Sequence, residues 1–282
     1  MEINVSIIPE KFVFALSGGS DSIALLDWLV RHHYEPIVVH VNHQINPKSS
    51  QWAEFCRTIC HNYGLNFYVH DVIVDGKNIE NSAREKRYGV LTSYGLPIIT
   101  AHHAEDQIET FFLRLFRGAG PKGLIGMSEI TKINGIEVIR PMLGVKKSTI
   151  EQYVIDNELD FIVDDSNFDD RYDRNWIRIR LIPMMRGKFS RFDGSIEHVR
   201  TTMRDVDDCL TDLAKMDFDK AVIDKTHIDT IGDARLRNLL HWTFFINGIT
   251  LSRKMSDEMI RRIRQNKSVR SVHKNFHPEW WH

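Results

Sequence analysis

Residues 17–22 read Ser-Gly-Gly-Ser-Asp-Ser, a run whose backbone and side chains suit one task, holding a string of phosphates. Glycine tolerates φ > 0 and carries no side chain, so the amides of Gly18 and Gly19 can approach an anion closely. The hydroxyls of Ser17, Ser20 and Ser22 add donors. A helix beginning near Asp21 adds its positive dipole end and unpaired N–H groups. Asp21 would repel phosphate unless a divalent cation stood between them, so magnesium is expected with the nucleotide. The same residues are also ordinary turn and N-cap chemistry. What favours phosphate is the setting, an apolar strand over 12–16 running in and an apolar helix running out. No lysine follows the glycines at the spacing of the Walker loop.

A second group of reactive side chains lies at 100–109, Thr-Ala-His-His-Ala-Glu-Asp-Gln-Ile-Glu. Asp106 and Glu109 are three apart and so share a helical face, where with Asp21 they are expected to hold magnesium directly or through water. Acids in a first helical turn also complement the dipole, which by itself accounts for Glu105 and Asp106. The neighbouring His102 and His103 favour chemistry, with His102 expected to donate to charge developing on a transferred phosphate. Zinc is not expected, because no further Cys or acid spacing supports it.

These groups need elements to position them. Apolar periodicity predicts a helix over 22–33, a buried strand over 36–41, a helix over 49–63, a strand over 67–72, a helix over 82–94, a strand over 97–100 and a helix over 104–117. Strands alternating with helices indicate an α/β fold with a doubly wound parallel sheet. Ligands of such sheets sit beyond the carboxyl ends of the strands, which brings 17–22, 40–43 and 102–106 to one rim. The glycine-rich stretch 118–126 reads as an irregular loop and a candidate flap. A strand is expected over 136–139, a helix over 146–157, a loop over 161–174 and a helix over 175–185 that breaks at Pro183. From about 195 onward the pattern is helical. The domains expected are a catalytic one over 1–190 and, over 191–282, a linking helix with a small all-helical domain.

The chain has 282 residues, 42% of them hydrophobic, enough to bury a core in a large domain and a small one. No apolar run approaches the roughly 20 residues needed to span a bilayer, and the N-terminus lacks a signal-peptide pattern. No membrane partner and a cytoplasmic location are therefore expected. Cys56, Cys60 and Cys209 are odd in number and form no C-x-x-C pair, against a disulfide framework, a zinc ribbon or an iron–sulfur site. The net charge is −1, yet basic residues concentrate over 171–204 and 253–274. Aromatic residues Phe276, Trp280 and Trp281 follow the second run, a combination suited to phosphate contact and base stacking. Between the runs Asp205, Asp207, Asp208, Asp212, Asp217 and Asp219 form an acidic helical stretch expected to face solvent.

The loop at 17–22 resembles the S-G-G-x-D-S loop of the N-type ATP pyrophosphatases. With it, His-Val-Asn-His at 40–43, the run at 102–110, Leu-Arg-x-x-Arg-Gly-x-Gly at 113–120, Glu-Asn-Ser-Ala-Arg-Glu-Lys-Arg-Tyr at 80–88, Arg-Pro-Met-Leu at 140–143 and the segment 165–178 together resemble the tRNA(Ile)-lysidine synthetase family. The matches cover about 12–185, and weaker similarity to the family's helical tRNA-binding domain continues to 264. Glu105 stands where the family usually has Asp, and the chain stops without the additional C-terminal domain of the longest members.

The resemblance implies a PP-loop fold of the adenine nucleotide alpha hydrolase type and an ATP-dependent ligase forming a carbon–nitrogen bond. ATP would adenylate O2 of the wobble cytosine in a CAU-anticodon tRNA(Ile), and L-lysine would then attack C2 to give lysidine, AMP and pyrophosphate. On that resemblance Ser17, Gly18, Gly19, Ser20 and Ser22 hold pyrophosphate, Asp21 and Asp106 organise magnesium, and His40 and Asn42 lie near adenosine. Arg84 and Arg117 are candidates for contacting cytosine, adenylate or the lysine carboxylate, since guanidinium offers paired donors. Arg174 and Arg178, with Arg261 and Arg264, are expected to serve the tRNA or a domain interface. A PP-loop tRNA 2-thiolase is the nearest alternative, disfavoured by the missing cysteine pairs, and a non-catalytic tRNA- or nucleotide-binding module is a second. The sequence does not reveal the oligomeric state, and a homodimer is the one assembly considered.

Overall fold

The apolar run at 12–16 forms β1 (Val13–Ala15) at the middle of a six-stranded sheet. A computed structural model describes residues 1–74, 79–223 and 226–265. From the N-terminus the chain continues through α1 (Ser20–Arg31), β2 (Ile37–Asn42), α2 (Ser49–Asn62), β3 (Phe67–Asp71), α3 (Ile79–Thr92), β4 (Ile98–Ile99) and α4 (Ala104–Phe116). There follow α5 (Pro121–Leu124), β5 (Ile130–Ile133), β6 (Ile136–Ile139), α6 (Lys147–Asp156), α7 (Asp173–Trp176), α8 (Ile182–Lys188), α9 (Phe192–Ile223), α10 (His227–Thr230), α11 (Asp233–Ile246) and α12 (Arg253–Arg264).

The strand order is β3-β2-β1-β4-β6-β5, parallel throughout except that β5 pairs antiparallel with β6. That edge hairpin is absent from the sequence expectation. Its two-residue loop is Asn134-Gly135, with φ of 50° and 80°, the positive pair that a type I′ turn demands. Successive β1 residues face opposite sides, so Phe12, Phe14 and Leu16 pack with α1, while Val13 packs with Val39, Tyr88, Leu91 and Ile98. Each fully buried Leu, Ile or Phe contributes on the order of 1.5–3 kcal/mol. This two-sided covering fixes where the ends of β1 and β4 emerge.

The helix expected to stop at Pro183 does not. The chain is helical from Asp173 to Lys188, because Ile177–Leu181 widens into a π turn in which Ile182 N–H donates to Ile177 O. Pro183 then falls in the first turn of α8, immediately after the π turn that widens the helix ahead of it.

The chain divides into two compact units, one of Met1–Ala119 with Gly126–Ile196, the other of Gly120–Ile125 with the residues from Glu197 onward. The stretch expected to be an irregular flap thus holds the short helix α5 inside the second unit. Arg200 Nε donates to Ile125 O at 2.9 Å, and Lys122 Nζ lies 3.1 Å from the centre of the Phe245 ring. The core of the second unit is built from Leu236, Leu239, Leu240, Phe244, Met259 and Ile260 with their neighbours.

Asp217 departs from the solvent-facing acidic stretch. Its side chain is fully buried, takes both Nε (3.0 Å) and Nη2 of Arg235 and lies 3.1 Å from His227 Nε2. Burial alone would raise its pKa, but Arg235 and His227 hold the carboxyl below the usual range. Asp217→Asn is expected to cost about 2–4 kcal/mol by leaving Arg235 without its counterion. Urea unfolding followed by circular dichroism measures this, and a loss under about 0.5 kcal/mol would contradict the ion cluster's role.

Candidate active site

The loop after β1 is shaped by Gly18, at φ +87°. A Cβ there would stand 2.4 Å from Ile162 Cδ1 and 3.0 Å from Cys56 Sγ, and Ile162 N–H donates to Gly18 O at 2.9 Å. Only one of the two glycines needs the left-handed region. Gly19 is extended (φ −72°, ψ 161°) and serves as the N-cap of α1. The Gly18 amide, expected to point at phosphate, donates instead to Ser22 Oγ at 3.1 Å, and Ser22 Oγ donates to Gly19 O at 2.9 Å. Ser22 thus braces the loop from inside, while the helix start at Ser20 leaves the anion-facing donors to α1. Gly18→Ala is expected to cost roughly 2–4 kcal/mol from a strained backbone and a clash with packed Ile162. Denaturant unfolding checks it, and near-wild-type stability would disprove the close packing.

Asp21 lies in a cluster of alternating charge. Its Oδ1 accepts from Lys147 Nζ at 2.6 Å and its Oδ2 is 3.5 Å from His103 Nε2. The same His103 Nε2 lies 3.6 Å from Asp106 Oδ2, and His103 Nδ1 is 3.3 Å from Glu105 Oε2. His103 N–H also donates to Asp106 Oδ2 at 3.0 Å, so the acid caps α4 as well as facing the cluster. Burial would raise the Asp21 carboxyl, but His103 and Lys147 bring it down to about 2. Burial would equally lower His103, yet Asp21, Glu105 and Asp106 outweigh it and raise the imidazole to about 10. His103 is therefore a cation at neutral pH.

Because that value lies above the ordinary ~6.5, the stability His103 contributes is fully present below pH ~6.5 and is lost as pH rises through about 10. Wild type is expected to lose more unfolding free energy between pH ~7 and ~9.5 than His103→Gln. Equal losses would overturn the ion pairing.

Glu109 is placed differently from its expected metal role. Its side chain is 1% exposed, and both oxygens are engaged by Arg178 Nε (2.5 Å), Arg178 Nη2 (3.0 Å) and Arg174 Nε (2.7 Å). Arg174 Nη2 also donates to Asp106 Oδ1 at 2.9 Å. Arg174 and Arg178 are thus counterions of the α4 acids. Among the described residues no group of three His, Cys, Asp or Glu side chains is arranged to hold a metal by itself.

A cleft of about 160 Å³ opens where the chain order along the sheet reverses, between the ends of β1 and β4. Ser17, Asp21, Arg87, Tyr88, Thr100 and His102 are among the residues lining it. Burial pushes His102 down to about 3, so it is neutral, with Nδ1 2.8 Å from Thr100 Oγ1. Arg87 is the cation that sequence reasoning missed. Arg84, Arg87, Tyr88 and Leu91 follow the i, i+3, i+4, i+7 spacing of one helical face, a signal that was available. The expected Arg84 is exposed with its guanidinium 4.9 Å over the Tyr88 ring, and Arg117 is the exposed C-cap of α4; neither lines the cleft.

His40 Nδ1–H donates to Leu16 O at 2.9 Å, and Asn42 Nδ2 donates to Asp71 Oδ1 at 2.8 Å, so both brace the strand ends beside the loop. Arg264 donates to Asp233, Ile228 O and Ile231 O, closing the helical unit, whereas Arg261 pairs with Glu258 on an exposed face. The basic and aromatic tail beyond Gln265 lies outside the described residues. Cys56 and Cys60 are buried thiols pushed up to about 12, and Cys209 is exposed on α9, which offers no paired thiolate to a sulfur carrier.

A tRNA(Ile)-lysidine synthase of Haemophilus influenzae is 36% identical over 200 residues, covering 67% of this chain and 46% of that protein. The synthase of Acinetobacter baylyi is 32% identical over 262 residues, covering 90% and 56%. The chain therefore spans about half the length of the curated relatives it matches. A U34-tRNA thiolase from Methanococcus maripaludis, solved with a 4Fe–4S cluster, shares the fold at a TM-score of 0.56 and 14% identity, over 68% of this chain and 71% of that one. No helix among the described residues is long and apolar enough to cross a membrane. A PP-loop domain model matches residues 3–185, the stretch that contains the loop, the α4 acids and the cleft, and the chain belongs to that PP-loop family.

Proposed function

We propose that the protein is an ATP-dependent lysidine-forming ligase, adenylating O2 of the wobble cytosine in CAU-anticodon tRNA(Ile) and then joining L-lysine to C2 with loss of AMP. The observation that carries this reading is the cleft at the β1–β4 switch point, lined by Ser17 and Asp21 of the phosphate loop together with Arg87 and His102, in a chain related to lysidine synthases. The cytoplasm, where tRNA and ATP meet, is the compartment this reading expects.

The donor set fits magnesium. Asp21 and Asp106 would hold it, each with Oδ2 now facing the same His103 Nε2 at 3.5 and 3.6 Å. Two carboxylates completed by phosphate oxygens and water are what this ion takes. Magnesium would neutralise the phosphate charge there. Ser17 and the start of α1 then orient the pyrophosphate end of ATP, and His102, held neutral, offers a hydrogen bond to the transferred phosphate. Arg87 supplies positive charge in the cleft, which suits an anionic phosphate or a lysine carboxylate. It also disfavours a neighbouring ammonium and so favours the neutral, nucleophilic amine. Exposed Arg253, Lys254 and Arg261 on α12 serve the tRNA backbone in this reading.

The test is incubation with ATP, labelled lysine and tRNA transcripts carrying CAU or another anticodon. Label is expected in the CAU transcript alone, with AMP released alongside. ATP cleavage without any lysine incorporation would refute the reading.

A further inference from the structure

The phosphate loop has no lysine in its own sequence, yet a lysine stands at it. Lys147, the first residue of α6, places Nζ 2.6 Å from Asp21 Oδ1 and 2.9 Å from Ser20 Oγ. Its backbone is anchored as well, since Lys147 N–H donates to Glu105 Oε2 at 2.7 Å. Glu105 is held in turn by His103 Nδ1 at 3.3 Å and Arg186 Nη2 at 3.4 Å. Just upstream, Ala104 N–H donates to Val145 O at 2.9 Å, tying the start of α6 to the start of α4. Lys147 and Asp21 side chains are each 30% exposed. An exposed Lys–Asp pair contributes little and is free to move. This one is fixed through its backbone and shares its ammonium between an acid and a hydroxyl of the same loop.

We propose that Lys147 is the cation of the phosphate loop. It holds Asp21 while the loop is empty, and its ammonium turns onto the pyrophosphate once ATP enters and Asp21 takes up its metal role. The inference rests on the reading that this loop binds ATP. In the adenylation step the acceptor oxygen bonds to the α-phosphorus as the bond to the bridging oxygen breaks. The electron pair leaves on pyrophosphate, beside an ammonium that keeps its proton and offsets the new charge by proximity. Glu105 is then a positioning residue, setting the Lys147 backbone rather than touching the nucleotide.

The experiment is calorimetric titration of the full chain with inorganic pyrophosphate, in EDTA and with magnesium, against AMP as the control ligand. Lys147→Gln is expected to weaken pyrophosphate binding roughly 10- to 100-fold, the range of one charge-assisted hydrogen bond, and to leave AMP binding nearly unchanged. A wild-type chain that binds neither ligand sinks the ATP reading itself. A wild-type chain that binds pyrophosphate no better than Lys147→Gln sinks only the assignment of Lys147, and so does a variant that loses AMP and pyrophosphate equally. Should Lys147→Gln not fold, Asp21→Asn/Lys147→Gln is compared with Asp21→Asn in EDTA. A further loss of pyrophosphate affinity supports the proposal, and an unchanged affinity overturns it.

Discussion

Asp21→Ala is expected to lower AMP formation by roughly a thousandfold, the several kcal/mol that an organised metal and phosphate site contributes to charge transfer. Asp21 is where the loop, Lys147 and His103 meet, so its loss removes the one carboxylate shared by the phosphate site and the α4 cluster. Binding of tRNA should survive, since the exposed cations of α12 belong to the second unit. A second readout separates a site effect from unfolding. Asp21 is foremost among the groups that raise His103, so the imidazole pKa should fall from about 10 in the variant, which nuclear magnetic resonance can follow. AMP formation within tenfold of wild type, in a folded Asp21→Ala protein, would remove Asp21 from the reaction.

Glu109→Ala tests the sharpest difference between sequence and structure. Were Glu109 a metal ligand packed beside Asp106 and Asp21, removing it in EDTA would relieve repulsion and stabilise the protein. With both its oxygens held by Arg174 and Arg178, removal instead takes the buried carboxylate from two guanidinium groups and leaves Asp106 to face both. The expected cost is about 3–5 kcal/mol, a fall in melting midpoint on the order of 10 °C. The sign of the shift decides between the two. Adding Arg178→Ala should recover part of the loss, because the unmatched charge then goes too.

The strands and helices of the sheet were readable because each has a clean period and a marked end. Gly-Gly after an apolar run announced the phosphate loop, and the apolar stretch at 37–41 announced a buried parallel strand. The β5–β6 hairpin carries its signal in Asn134-Gly135, the pair that a type I′ turn demands. Pro183 misled because a π turn, set by packing, decides whether proline breaks a helix. Spacing put Asp106 and Glu109 on one helical face, but not which cations would come to meet them.

By itself the sequence determined the chemistry of the loop, the α/β class and the acids at the start of α4, since these depend on residue type and local period. Tertiary structure alone decided the pairing of charges. Arg174 and Arg178 reach Glu109 from 65 and 69 residues away, and Lys147 reaches Asp21 across 126. Coulomb attraction depends on distance in space and on burial, neither of which is written in the spacing along the chain. The fold therefore ties the acids of the loop and of α4 into one cluster with His103, Lys147, Arg174 and Arg178.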